Sequence, residues 1–418
     1  MLGVEDMPPE VQVKILNNVP STDLWNNVRV VNSYFNEFLH GDTYWENRLA
    51  TVCRVHSSKL EMNHPSFDPV RKTLAVEREY NCWARAPDKP IVNTDFVKLQ
   101  SHEGTVDAVK LFSNHAGDKR FCITGARDHK MILWDITKLE ADTMNMKGKY
   151  DGCHGQESII ALRPGAHDGW IWQLCVESTR GDIVNFFSCG WDKSVRNWRI
   201  TPTGITELGV SVGEHAQLCL SASRNEVLSG TMKGGVRLLD LRGGERPVHD
   251  EILHRGAILD IISKPLSDYV YTTSEDGSIA MHDRRMWKKV HASRMPNGDG
   301  YFSSISMRDD VLMAHSSKGW FTCMDKANLK RIIMPFTPDI ENDKNRQILL
   351  KEGALFIKGE REVQVYTTGK VPHFIGKTCR FDAVVARMDY RNGILALGSG
   401  TGEVLFYFAD RHDPDDEK

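Results

Sequence analysis

None of the nine cysteines stands in a CxxC pair. The spacing that builds zinc ribbons and thioredoxin-like redox sites is therefore missing. No run of about 18 apolar residues occurs, which argues against a membrane-spanning helix. The opening MLGVEDMPPE lacks the basic-then-apolar order of a secretory leader. Neither charge sign dominates: 53 Lys+Arg face 56 Asp+Glu, a formal net charge of -3. That balance gives no global pull towards nucleic acid. Phosphate-cradling Gly-Lys loops, zinc-binding helices and nucleophile elbows are also missing. These absences point to a chain without metal, cofactor or catalytic role. Unpaired thiols suit a reducing compartment, cytoplasm or nucleus.

What the chain has is a repeat. Thr124–Asp135 reads TGARDHKMILWD, and weaker copies end at Trp198, Leu239, His282, Met324, Tyr366 and Tyr407. Counted from Trp134, the intervals are 64, 41, 43, 42, 42 and 41 residues. A period of about 40–45 residues with a Trp-Asp ending marks a four-stranded propeller blade. One such sheet cannot bury both faces alone, so the copies must stack into a ring. The fold expected is mainly β, a seven-bladed propeller. The long first interval places extra residues near 138–157, read as a polar loop and a tolerated insertion. The last blade lacks a strand after Phe408, and residues 94–99 (TDFVKL) alternate as one. They are expected to supply the outer strand of that blade and close the ring.

Before the repeat lie about 90 residues of another character. Residues 6–19 read as a helix capped by Asp6, with Pro8 and Pro9 at its start. Val11, Ile15 and Val19, with Leu16 beside them, form an apolar stripe. Pro20 ends that helix. Ser21 offers a second cap before Leu24, Val28 and Val31, and a third helix runs from Ser33 to His40. Residues 57–69 read as a loop with Pro65 and Pro69 as breakers. VRKTLAVEREYNCWARAP then reads as a helix whose Cys82-Trp83 end packs on the ring.

MPPEVQVKIL, VPSTDLWNNVRVVNSYFNEFL and YWENRL together resemble an F-box. The pattern departs at Met7, where Leu is usual, and at Trp25-Asn26, where apolar residues are common. The resemblance implies docking on the Skp adaptor of a cullin-RING ubiquitin ligase. Pro8, Pro9, Ile15, Leu16, Val19, Leu24, Val28 and Val31 are the implied adaptor-binding residues. Followed by the repeat, the chain resembles an F-box/WD-repeat protein. Its expected parts are an F-box over 4–50, a helical linker over 51–93, the propeller over 94–410 and an acidic tail over 411–418.

WD-repeat blades hold a buried polar chain of His, Asp, Ser or Thr, and Trp. Blade one supplies His102, Asp128, Thr124 and Trp134. Blade two supplies His167, Asp192, Ser188 and Trp198. Blade four has His254, Asp276 and Thr272 with His282 in the Trp position. Blade three keeps His215 and Ser229 but lacks the rest. A His-Asp pair that recurs at fixed offsets is architecture, since catalysis needs one site.

Residues before the turn Asp and at first-strand openings point to one rim, the usual partner site of WD-repeat proteins. The turn positions are Arg127, Trp191, Met232, Glu275, Ser317, Gly359 and Gly400. Arg127, Trp170, Trp172 and Trp191 gather there and are the expected substrate-binding residues, because Trp and Arg anchor interfaces. A single Arg at these positions speaks against a phosphate-gripping cluster. The implied function is a non-catalytic substrate receptor that binds the adaptor and a protein substrate, without nucleic acid or membrane. The competing reading is a WD-repeat scaffold with no ubiquitin role.

Overall fold

A computed structural model describes residues 4, 7–51, 68–83, 91–93, 96–114, 117, 119–145, 157–180, 183–201, 204–223, 226–240, 246–264, 267–295, 300–308, 311–331, 347–351, 353–368 and 372–409. The Asp6 cap, most of the loop around Pro65, the 146–156 part of the insertion and the 411–418 tail lie outside them.

Seven sheets, antiparallel except for one added edge strand, form the seven blades of a propeller. Every copy of the repeat is a third strand: Met131–Asp135, Ser194–Thr201, Gly235–Asp240, Ser278–Asp283, Phe321–Asp325, Val363–Tyr366 and Glu403–Phe408. The strand Val97–Gln100 pairs antiparallel with Glu403–Phe408, Val97 opposite Phe406. The last blade is thus completed from the front of the ring, as the alternation around 94–99 suggested. The preceding strand Ile91–Asn93 runs parallel to Phe374–Thr378 at the edge of blade six. One short stretch therefore stitches two neighbouring blades.

Apolar side chains lie between blades rather than within them. Ala108, Ile123 and Leu133 of blade one meet Ile171, Phe186 and Trp198 of blade two in one cluster. Val109, Ile132 and Trp134 meet Ala396, Val404 and Phe406 across the closing junction. A polar girdle repeats nearer the axis. In five blades, side-chain oxygens of the adjacent blade accept N–H groups of the innermost strand. Asp389 accepts from Leu111 at 2.9 Å, Gln173 from Leu220 at 2.9 Å and Asp260 from Ile305 at 3.0 Å. Ser304 takes the N–H of Ile348 at 3.3 Å and Gln347 that of Met388 at 2.9 Å. Such bonds satisfy groups that would otherwise be buried without partners.

The blade networks of one, two and four form as read. His102 Nδ1 lies 3.0 Å from Asp128, and its Nε2 lies 2.9 Å from Thr124 Oγ1, which accepts from Trp134 at 3.1 Å. An ionised carboxylate only accepts, so Nδ1 carries the ring proton and Thr124 donates to Nε2. Blade three, which lacks the rest of the set, forms no such network. Ser229 donates to Gln217 at 2.8 Å, not to His215, and Gln217 Nε2 bonds the His215 carbonyl at 2.8 Å. Gln217 sits on the strand itself, and its long amide reaches the hydroxyl directly.

The insertion after blade one is not all loop. Its first part extends the helix Ile136–Asn145, with Ile136 and Leu139 buried against blade one and Glu140 paired with Arg120.

The head holds α1 (Pro9–Leu16), α2 (Ser21–Asn26), α3 (Ser33–His40) and α4 (Asp42–Thr51), one helix more than the apolar pattern showed. The second helix stops at Asn26 and continues as a 3-10 turn over Val28–Val30. Asn27 donates through its side chain to Asp23 at 3.1 Å. Asn32, not Ser33, caps α3 by accepting from Phe35 N–H at 2.8 Å. Ser21 does not cap α2 with its own hydroxyl; its N–H is held by Glu77 at 2.9 Å.

Helix α5 (Pro69–Asn81) joins the two bodies. Its first turn places Val70 in the head cluster with Leu16, Leu24, Leu39 and Trp45. Just past its end, Trp83 is fully buried against Phe356, Tyr390 and Tyr407 of blades six and seven. Burying a Trp removes about 150–250 Å² from water, about 4–6 kcal/mol gross.

Candidate functional site

The structure brings the four rim residues expected from sequence into one group. Trp170 and Trp191 meet edge to face at 5.7 Å, and Trp172 and Trp191 at 5.8 Å. Arg127 lies 4.6 Å over Trp170 and 5.9 Å from the Trp172 centroid. Its guanidinium also grips Asp107, with Nε to Oδ2 at 2.7 Å and Nη2 to Oδ1 at 3.3 Å. Arg127 is thus committed to its own chain. It braces the aromatic group and holds Asp107 in place. Trp170 and Trp191 remain 40% and 38% exposed, while Trp172 packs beside Ala216, Leu218 and Ala257.

Beside this group the rim opens into a cavity of about 480 Å³ at the mouth of the central channel. One wall is apolar: Trp172, Trp191, Leu218, Met232, Ala257 and Leu259. The other is polar: Asp107, Asp260, Ser304, Gln347 and Arg387. Met232 and Glu275, two further turn positions, line it; Ser317, Gly359 and Gly400 do not. Burial pushes the Asp107 carboxyl above its ordinary value, against the opposing hydrogen bond from Arg127. Burial does the same to Asp260, against the Ile305 N–H and the charge of Arg387.

Sequence reasoning missed Arg387, Asp260 and Leu218. All three lie on innermost strands, where the rim was read at three blades. Blade seven has no network His ahead of its first strand, so the opening that carries Arg387 gave no signal.

The head presents a second surface. Leu16 and Leu24 are buried in its own core, so they hold the helices together. Pro8, Pro9, Ile15 and Val31 are exposed; Val19 and Val28 are half-buried. The stripe Val11–Ile15 faces outward, because Gln12 turns inward instead. Gln12 donates to the Met7 carbonyl at 2.7 Å and accepts from Tyr34 at 2.5 Å. That bond brings the start of α3 against α1. Beside it, Val30 and Val31 are 67% and 70% exposed. Among the described residues, no helix is long and apolar enough to cross a membrane.

Comparison with known proteins agrees with both parts. F-box/WD repeat-containing protein mec-15 of Caenorhabditis elegans is 28% identical over 412 residues, 96% of this chain and 95% of that protein. F-box/WD repeat-containing protein 9 of Homo sapiens is 24% identical over 317 residues, 76% of this chain and 63% of that protein. DDB1- and CUL4-associated factor 13 of Gallus gallus is 27% identical over 157 residues, 37% of this chain and 30% of that protein. No protein-family profile matches the chain. From helical head to closing blade, the chain is similar to the F-box/WD-repeat proteins.

Proposed function

We propose that the chain is a substrate receptor of a Skp–cullin–F-box ubiquitin ligase. Its head docks the Skp adaptor, and the propeller rim binds a protein destined for ubiquitination. The carrying observation is the head's outward apolar set, Val11, Ile15, Val30, Val31 and Tyr34, on a body already built around its own core. Exposed apolar side chains of this density mark contact surfaces rather than packing. Similarity to relatives named F-box/WD repeat-containing proteins supports the reading.

On this reading the chain does no chemistry of its own. Helix α5, anchored in the head through Val70 and followed by Trp83 in the ring, sets the spacing between adaptor and rim. A bound substrate then stays near the loaded enzyme, which raises the effective concentration of its lysines. A reducing compartment, cytoplasm or nucleus, suits such a ligase.

The test is binding of purified Skp adaptor to the full chain. Ile15→Glu with Val31→Glu alters exposed positions only, so the fold survives. Loss of adaptor binding by about tenfold or more is expected. Undiminished binding by the double variant, or none by the parent chain, rejects the reading. Adaptor-free binding to DDB1 would move the chain to another class of ligase.

A further inference from the structure

The charges around the rim cavity are not equally committed. Asp107 is held by Arg127. Asp260 accepts from Ser304 Oγ at 3.1 Å and from the Ile305 and Ile261 N–H groups at 3.0 Å. Among the described residues, no hydrogen bond or ion pair engages the side chains of Lys233, Arg255, Glu275 or Arg387, and all four line the cavity. Three free cations therefore face one free carboxylate. Lys233, Arg255 and Glu275 are exposed at the outer lip, whereas Arg387 is half-buried at the channel mouth. Its charge is offset there only at a distance, by Asp107 and Asp260. Trp172, Trp191 and Leu218 give the same cavity an apolar lining.

We infer that this cavity recognises an extended segment of a partner protein in which an apolar side chain stands next to an unmodified Asp or Glu, the apolar group against Trp172 and Trp191 and the carboxylate on Arg387. The size and chemistry of the cavity support this. About 480 Å³ holds one large side chain and its neighbour, not a folded surface. A guanidinium with open donors favours a planar carboxylate, which it binds through two parallel bonds. A phosphate would need several Arg residues converging on one point, and among the described residues only Arg387 reaches the channel mouth with free donors. A basic segment would meet the excess of cations. The inference takes from the receptor reading only that the rim meets a protein.

Random peptides of about ten residues, displayed on phage and selected on the full chain, supply the probe. Enrichment of Asp or Glu within about two positions of Leu, Ile, Met or Phe is expected. Fluorescent copies of enriched peptides should bind Arg387→Gln about tenfold or more weakly, with Arg387→Lys in between. Added salt should weaken binding to the parent chain more than to Arg387→Gln. Should Arg387→Gln fail to fold in a thermal melt, Lys233→Gln with Arg255→Gln replaces it, and about threefold loss or more is expected. Enrichment of basic peptides, no enrichment at all, a strict need for phosphoserine in place of Glu, or affinity unchanged by the variants overturns the inference. Adaptor binding measured on the same protein separates the two readings. Peptide binding without the adaptor defeats the receptor alone; adaptor binding without peptides defeats the cavity inference alone.

Discussion

Glu77 divides its carboxylate between a side chain and a helix end. Its Oε1 holds Arg48 Nε at 2.6 Å, and its Oε2 accepts the Ser21 N–H at 2.9 Å. Arg48 in turn donates to the Leu16 carbonyl at 3.0 Å and the Val19 carbonyl at 2.8 Å. One buried ion pair thus ties the end of α1, the start of α2, α4 and α5 together. Removing one partner from such a pair costs about 3–5 kcal/mol, because the other charge stays buried. Glu77→Gln should lower stability by that order in denaturant unfolding. Arg48→Met with Glu77→Leu should recover little, because three backbone groups lose their partners. Full recovery in the double variant would show that the pair matters only as a pair.

Blade six meets α5 with almost no space between backbones. A Cβ on Gly353 would lie 3.0 Å from the Glu79 Cβ and 3.1 Å from the Tyr80 nitrogen, and closer still to the Val76 carbonyl. Gly353 N–H also donates to Glu79. Gly353→Ala should push α5 off the blade at about 1–3 kcal/mol, the usual cost of overpacking. Faster proteolysis between head and ring should accompany it. An unchanged digestion pattern and melting point would place the coupling elsewhere, in Trp83 alone.

Blade four gives the ring a pH dependence. His282 takes the Trp position, its Nε2 3.2 Å from Thr272 Oγ1, and its Nδ1 has no hydrogen-bond partner among the described residues. Burial, with the nearby His254, pulls its pKa from 6.5 down to about 4. The neutral ring is what the fold accepts, so the unfolded chain binds the extra proton below 6.5. Stability is full above that pH and falls as pH drops towards about 4. His282→Trp removes one titrating group. The slope of stability against pH in that window should shrink by about 1.4 kcal/mol per unit. An unchanged slope would contradict the assignment.

Further acid loss comes from the network carboxylates. Burial opposes ionisation of Asp276, but bonds from Ser278 and His254 prevail and hold it near about 2. Asp128 and Asp192 are lowered too, by their His partners against burial. Their contribution is complete above 3.8 and vanishes as pH falls through the depressed values. Asp276→Asn should unfold more readily at pH 7 by about 1–3 kcal/mol and lose less on acidification. Equal losses in both proteins would refute the role.

Closure depends on few residues. Val97 and Leu99 are buried against the last blade. Leu99→Asp should cost about 3 kcal/mol or more and promote aggregation through the freed edge. A monomeric, equally stable variant would show that the ring holds without that strand.

The ring was legible because blade networks repeat at a fixed period, and Trp134, Trp198 and His282 each end one. Its closing strand was legible from the alternation of Val97 and Leu99. Blade three's broken network was legible as well, but not its replacement, in which Gln217 accepts from Ser229. The head was legible as helices, but not in which way α1 faces. Gln12 is a poor core residue by type and turns inward only because Met7 and Tyr34 complete its bonds. The Arg48–Glu77 pair joins residues far apart in the chain, and no local pattern links them. The rim group Arg127, Trp170, Trp172 and Trp191 was found because each lies at a repeat-aligned position. Arg387 was not, because its first strand lacks the preceding His that marks the strand openings of blades one, two and four.

The receptor account turns most directly on the affinity of the purified Skp adaptor for the full chain. Titration calorimetry should give a Kd below about 1 μM, with a negative heat-capacity change from apolar burial. The Val31→Glu variant, equally stable in a melt, should lose about tenfold or more. Absence of measurable heat with the parent chain, or equal affinity in the variant, would contradict the account.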